Sequence, residues 1–360
     1  MELKDVKFDC IHFKGTVPCM PNKLRGRICP CDEYHKPSKR ILIIKLGAIG
    51  DVIRTTPLVT RYRQKYPGCH ITWVTLHPDI LPGEEIDRIM VFDFRAVLEL
   101  THREFDIIIN LDKDYEACAL TAGLHSEIRY GFTWKNGHIE ACTPAADNKL
   151  LTGFFDQLSM ENKKSYPEEI FEICHFDYNK EPYLLRVDKE LITKWQLIRD
   201  LSKGKKIIGI NTGCGKRWLT RLWPERYYNE LILHLQRLGF FPALLGGPDE
   251  DEKNMRLVKN TGAYYPGVHN LKDFIAIIHN TDLVFSLVTM TMHIAIALRK
   301  PLVLLNNIFN RYEFELFGRG EIIEPPSGCD CYFGTKCTRE RHCMEDITVS
   351  EVIKAIQRHI

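Results

Sequence analysis

Arg40–Pro57 reads RILIIKLGAIGDVIRTTP and sets the architecture of the whole chain. Ile41, Leu42, Ile43 and Ile44 form an unbroken apolar run, the pattern of a parallel strand covered on both faces. Gly47, Ala48 and Gly50 then allow a tight turn and close approach of another group to the backbone. Asp51 stands where the next helix begins. Two readings of it are open: a cap for the helix N–H groups, or a base pointing into a cleft.

Outward from this segment the same alternation continues. Strands are expected at His70–Leu76, Arg88–Phe92, Asp106–Leu111 and Ile128–Phe132, with a helix at Pro57–Lys65. A second strand–turn opening follows at Lys205–Pro224, KKIIGINTGCGKRWLTRLWP. Beyond it the pattern predicts a helix over Pro224–Leu238, a strand at Phe241–Leu245 and a helix at Leu271–His279. Strands at Leu283–Leu287 and Leu302–Asn306 then flank a helix at Thr291–Leu298. Alternating strands and helices imply parallel sheets, here two Rossmann-like domains facing across a cleft. The expected division is a Cys-rich extension over 1–39, a first domain over 40–185, a second over 186–345 with a Cys-rich tail, and a terminal helix over 346–360. Pro144–Tyr183 is the least readable stretch and is taken as the end of the first domain plus a linker.

The chain has 360 residues and a formal net charge of +2, which offers no electrostatic case for nucleic-acid binding. MELKDVKFDC lacks the apolar core of a signal peptide, and no apolar run reaches the ~20 residues that span a bilayer. The expectation is a cytoplasmic protein, with peripheral contact at the inner membrane surface left open.

In open parallel sheets, ligands bind beyond the carboxyl ends of the strands. Those turns hold Gly47–Asp51, Asn211–Arg221, Gly246–Asp249 and Val288–His293. Thr212 and Gly213 can offer hydroxyl and N–H groups, while Lys216, Arg217 and Arg221 crowd cations that a diphosphate would neutralise. A solvated basic loop is the bland alternative. Asp249 suits ribose hydroxyls or a simple turn, and Thr289, Met290 and His293 open a helix with anion-binding geometry. Asp112 in NLDKDYE is read as an acceptor contact or a solvated turn with equal weight.

The segment ILIIKLGAIGDVIRTTPLV resembles the strand–turn–helix signature of the heptosyltransferases, glycosyltransferase family nine. RLWPERYYNEL, LLGGPDEDE, MHIAIAL and EFELFGRGEII continue the resemblance over roughly Arg40–Ile323. It implies the GT-B fold and inverting transfer of a heptose or related sugar from a nucleotide-diphosphate donor, ADP-heptose-like, to a glycan or glycolipid acceptor in surface polysaccharide assembly. Carried over by position, Asp51 matches the catalytic base, and Lys45 and Gly50 the glycine turn. Arg221 matches the residue gripping the diphosphate, Asp249 an acid near the ribose, and Thr289, Met290 and His293 the phosphate-binding helix start. The chain departs from the family at Val288, where an acid usually contacts the donor sugar. A valine cannot do so, which keeps a non-catalytic nucleotide-sugar or glycan-binding relative as the alternative. An oxidoreductase has little support, because no G-x-G-x-x-G follows a strand.

Thirteen cysteines complete the reading. Cys329, Cys331, Cys337 and Cys343 give C-x-C-x5-C-x5-C, enough thiolates for structural zinc or iron. Some relatives in the family carry a cysteine-ligated metal near the C-terminus, which this segment resembles. Cys10, Cys19, Cys29 and Cys31 give a looser second set. The transfer chemistry itself is expected to need no metal or cofactor.

Overall fold

Ile41 to Ile44 are fully buried in a computed structural model that describes residues 1–360. They form the centre of a six-stranded sheet: β1 (Arg40–Ile44), β2 (His70–Thr75), β3 (Arg88–Val91), β4 (Phe105–Asn110), β5 (Ser126–Lys135) and β6 (His138–Ala141). The strand order is β3-β2-β1-β4-β5-β6. β1 runs parallel to both neighbours, with Ile43 opposite Trp73 and Ile109. The sheet is not wholly parallel, because β5 turns back into antiparallel β6 through Asn136 and Gly137, both with positive φ. Such a two-residue Asn-Gly turn matches the right-handed twist of paired strands.

The second sheet contains β7 (Ile207–Asn211), β8 (Phe241–Leu245), β9 (Leu283–Leu287), β10 (Leu302–Leu305) and β11 (Gly320–Ile323), in the order β11-β10-β9-β7-β8. All its pairings are parallel. The helix Glu225–Arg237 buries Tyr228, Leu231, Ile232 and Leu235, one apolar stripe at helical spacing, in a core with Trp223 and Phe285. The helix Val349–His359 adds Val352, Ile353 and Ile356 to the same core and starts from a Thr348/Glu351 capping box. Each such side chain contributes about 1.5–3 kcal/mol through burial.

An acid ties down the amino end of the first strand in each sheet. Asp106 accepts from the Arg40 N–H at 2.6 Å, and Asp282 from the Ile207 N–H at 2.8 Å. Strand ends leave N–H groups without ladder partners, and these carboxylates supply them.

Two α/β units result. One comprises Met1–Leu46, Leu58–Pro78 and Gly83–Thr143; the other Gly47–Pro57, Asp79–Pro82 and Pro144–Ile360. Pro144–Tyr183 folds into the helices Asp147–Phe154, Asp156–Glu161 and Tyr166–Ile173, all within the second unit. The helix Ile49–Thr55 also belongs there, packed on the helices Met290–Ala297 and Tyr166–Ile173.

Candidate functional site

Each sheet has one switch point where the strand order reverses, between β1 and β4 in the first and between β7 and β9 in the second. Polar residues meet at both, as expected for a ligand-binding edge. In the first unit Lys45 follows β1 and donates to the carboxylate of Asp112, which follows β4. The Leu46 N–H donates to the same carboxylate, and Asn110 Oδ1 accepts from the Asp112 N–H at 2.9 Å. Asp112 is 5% exposed; burial pushes its pKa up while Lys45 opposes. Asp112 thus holds the β1 turn in place.

In the second unit Asn211 Oδ1, at the end of β7, accepts from the hydroxyls of Ser286 at 3.3 Å and Thr289 at 3.4 Å. Thr289 caps the helix Met290–Ala297 by accepting from the Thr291 N–H at 3.2 Å. Val288, just before it, is buried, and its carbonyl accepts from the Arg221 guanidinium.

Asp51 lies in the first turn of the helix Ile49–Thr55. Its carboxylate pairs with Arg54 at 2.8 Å, one turn along. The Arg54 guanidinium lies 3.7 Å from the centre of the Tyr166 ring, and its Nε makes no hydrogen bond. Burial works against this charge, yet Asp51 and Glu313 hold the Arg54 pKa above its ordinary value. The Tyr166 hydroxyl is 3.0 Å from Thr55 Oγ1, which itself donates to the Asp51 carbonyl at 2.7 Å. The base candidate therefore sits on a helix turn braced from two sides.

His293 presses against this turn. A Cβ on Gly50 would come within 2.3 Å of His293 Cδ2, so only glycine fits there. The imidazole is 7% exposed and its Nδ1 has no hydrogen-bond partner. Burial pushes its pKa down to about 3, Arg54 adding to the effect and Asp51 opposing it, so His293 is neutral.

The remaining expected residues are placed as follows. Thr212 is fully buried and donates to Asn254 Oδ1 at 2.6 Å, while Lys253 Nζ donates to the Thr212 carbonyl at 2.6 Å. Gly213 packs so closely on Glu250 that a Cβ would overlap its carboxylate. Arg221 is buried, and besides Val288 it donates to the carbonyls of Cys214 and, at 3.3 Å, Trp218. Arg217 is exposed over the Trp218 ring at 4.2 Å. Asp249 pairs with Lys216 at 2.9 Å on the surface. Met290 is half-buried at the start of its helix.

Arg54, Tyr166, Lys253 and Glu250 were not singled out from sequence. Arg54 is the one with a local signal, an opposite charge three residues after Asp51 on a helix. Tyr166 lies too far along the chain to be paired with it by pattern.

Of the terminal thiols, Cys329 and Cys331 have sulfurs 3.3 Å apart. Cys329 also engages Cys343, and Cys331 engages Cys337. No three His, Cys, Asp or Glu side chains in the chain stand in the geometry of a metal centre. No helix is long and apolar enough to cross a membrane.

The signature of glycosyltransferase family 9 (heptosyltransferase) matches residues 94–308. Among curated proteins, the lipopolysaccharide core heptosyltransferase OpsX of Haemophilus influenzae is 24% identical over 109 residues. That stretch is 28% of this chain and 31% of the relative's length. The crystal structure of a family 9 glycosyl transferase from Veillonella parvula superposes with a TM-score of 0.69 at 21% identity, covering 89% of this chain and 97% of that one. The ADP-heptose LPS heptosyltransferase II of E. coli gives 0.64 at 17% identity, covering 89% and 98%. The two-sheet architecture is thus that of GT-B proteins.

Proposed function

This chain belongs to glycosyltransferase family 9, the heptosyltransferases, and on that premise we propose that it is an inverting glycosyltransferase. It moves a heptose or related sugar from a nucleotide-diphosphate donor of the ADP-heptose kind to a glycan or glycolipid acceptor in lipopolysaccharide assembly. The work is done in the cytoplasm, with peripheral contact at the inner membrane.

The observation that supports this best is the braced carboxylate. Asp51 keeps about a third of its side chain open while Arg54, Thr55 and Tyr166 fix the helix turn that carries it. In the proposed reaction Asp51 takes the proton from an acceptor hydroxyl as its oxygen attacks the anomeric carbon. The bond from that carbon to the phosphate oxygen breaks, and its electron pair leaves with the nucleoside diphosphate. Back-side attack inverts the anomeric centre.

Charge on the leaving group needs donors already aimed at it. The start of the helix Met290–Ala297, with Thr289, is assigned that role, joined by the exposed Arg217. Arg221 serves indirectly, holding the 214–221 loop on the Val288 turn. Asp249 is assigned to the ribose, and Thr212 and Gly213 to shaping the phosphate loop. Lys45, Gly50 and His293 set the turn that presents Asp51. The acceptor is assigned to the first unit, whose switch point is held by Asp112. The thiol chain Cys343–Cys329–Cys331–Cys337 is assigned a structural zinc or iron with no part in the chemistry.

Asp51→Asn tests the reading. Donor affinity should persist while turnover falls about 10²–10⁴-fold, the usual contribution of a general base. Unchanged turnover returns Asp51 to a role in the helix alone. Buried Val288 favours a second reading, a non-catalytic nucleotide-sugar binder. Donor that binds without hydrolysis or transfer across ADP-, GDP- and UDP-sugars would establish it.

A further inference from the structure

The first thirty-nine residues contain one 3-10 turn, Leu3–Asp5, and one six-residue helix, Met20–Arg25. Only Pro21 and Pro37 among them are buried, while Phe8, Val17, Leu24 and Ile28 are more than half exposed. A segment this short has no apolar core of its own, and a cross-link within it would add stability that burial does not supply.

Its four cysteines line a single small cavity. Cys10, Cys19, Cys29 and Cys31 surround about 30 Å³, with His12 and Tyr34 beside them. The local backbone explains how residues spread over twenty-two positions converge. The backbone carbonyl of Cys10 accepts from the Phe13 N–H at 3.0 Å, that of Cys19 from the Lys23 N–H at 2.9 Å and that of Cys31 from the Tyr34 N–H at 3.1 Å. Three of the four thus open a hydrogen-bonded turn. Gly26 ends the helix after Cys19 with φ 64°, and Asn22 clamps the Arg27 carbonyl at 2.8 Å, bringing Cys29 and Cys31 back toward the start.

We propose that these four thiols bind one divalent metal ion of the soft or borderline class, zinc or iron(II), as a tetrathiolate. Binding displaces four thiol protons to solvent, and the ion draws the sulfurs from the cavity wall to ligand distance. The complex carries a net charge of about −2, which Lys7 on the cavity rim partly offsets. The ion staples the extension where it borders the amino ends of the first sheet. There Cys10, His12 and Phe13 face a second cavity shared with Arg40, His70 and Ser126. This site is independent of the C-terminal thiols and of the transfer reaction.

The test is metal analysis of the full chain, purified without chelator, with zinc and iron counted in parallel. Cys29→Ser/Cys31→Ser should hold one equivalent less than wild type, and Cys329→Ser/Cys331→Ser should keep the N-terminal equivalent. Equal metal in wild type and Cys29→Ser/Cys31→Ser overturns the proposal, as does a mass showing disulfides among the four. If that variant fails to fold, chelator treatment of the wild type answers the same question. Release of the ion should expose Cys10, Cys19, Cys29 and Cys31 to alkylation and open residues 1–39 to trypsin. Release that leaves both unchanged also overturns it.

Discussion

Arg54 holds Asp51 at 2.8 Å through its guanidinium while lying 3.7 Å above the ring of Tyr166. The Asp51 carboxylate is thereby tied, through Arg54, to an aromatic plate that arrives from far along the chain. Geometry of this kind limits where the carboxylate can swing, and positioning is a large share of what an active site supplies.

Arg54→Lys keeps the charge and loses the planar contact with Tyr166. Transfer should fall by roughly 10²-fold, the scale of an ångström of misplacement, with donor affinity nearly unchanged. Steady-state kinetics against donor titration separates the two. Wild-type turnover in the variant would remove Arg54 from the positioning role.

Gly50→Ala forces a methyl group to within 2.3 Å of the His293 ring. Overpacking of a filled site costs about 1–3 kcal/mol. The same change in a His293→Ala background should cost much less, because the ring is gone. Denaturant unfolding of the two single variants and the double gives the coupling; strict additivity would disprove the contact.

His293 gives the second unit an acid-sensitive point. Its folded pKa is lowered to about 3, below the unfolded value of 6.5. Between those values the unfolded chain binds a proton that the folded one does not, so stability is lost as pH falls below about 6.5. The slope is about 1.4 kcal/mol per pH unit, and above that pH the group contributes no dependence. His293→Gln should flatten this part of the profile. Urea midpoints at pH 7, 6 and 5 for both proteins make the comparison.

Arg221 ties three carbonyls, of Cys214, Trp218 and Val288, into one knot. Arg221→Lys cannot reach all three and should lower the stability of the ligand-free protein by about 1–3 kcal/mol. If Arg221 served only to grip a phosphate, thermal unfolding without donor would be unmoved.

The parts legible in sequence are those decided by local pattern. β8, β9 and the helices Pro57–Lys65 and Leu271–His279 fall at their expected bounds, because each is a clean apolar run or stripe with clear turn residues. β6 and β11 were missed; each is four residues long, and the Asn136-Gly137 turn was the one usable sign of β6. The helices between Asp147 and Ile173 hid behind polar residues, although Ser165 and Glu168 form a capping box that marks one start. At the candidate site, the glycine turn and the helix start that carries Asp51 were readable because covalent neighbours define them. Arg54's stacking on Tyr166 was not, since it depends on a helix that arrives from far along the chain. Nor could the pattern show that Arg221 and Asp112 are enclosed by backbone and lysine partners.

The backbone passes between the two units at 46–47, 57–58, 78–79, 82–83 and 143–144, so neither unit is a continuous stretch of gene. A chimera joined at 143–144 would graft a new carboxyl half onto a foreign Asp51 helix. His293 would then meet whatever residue the other parent carries at position 50. Exchange of specificity between relatives should therefore succeed only when residues 47–57 travel with the carboxyl half, making an eleven-residue cassette the unit of inheritance.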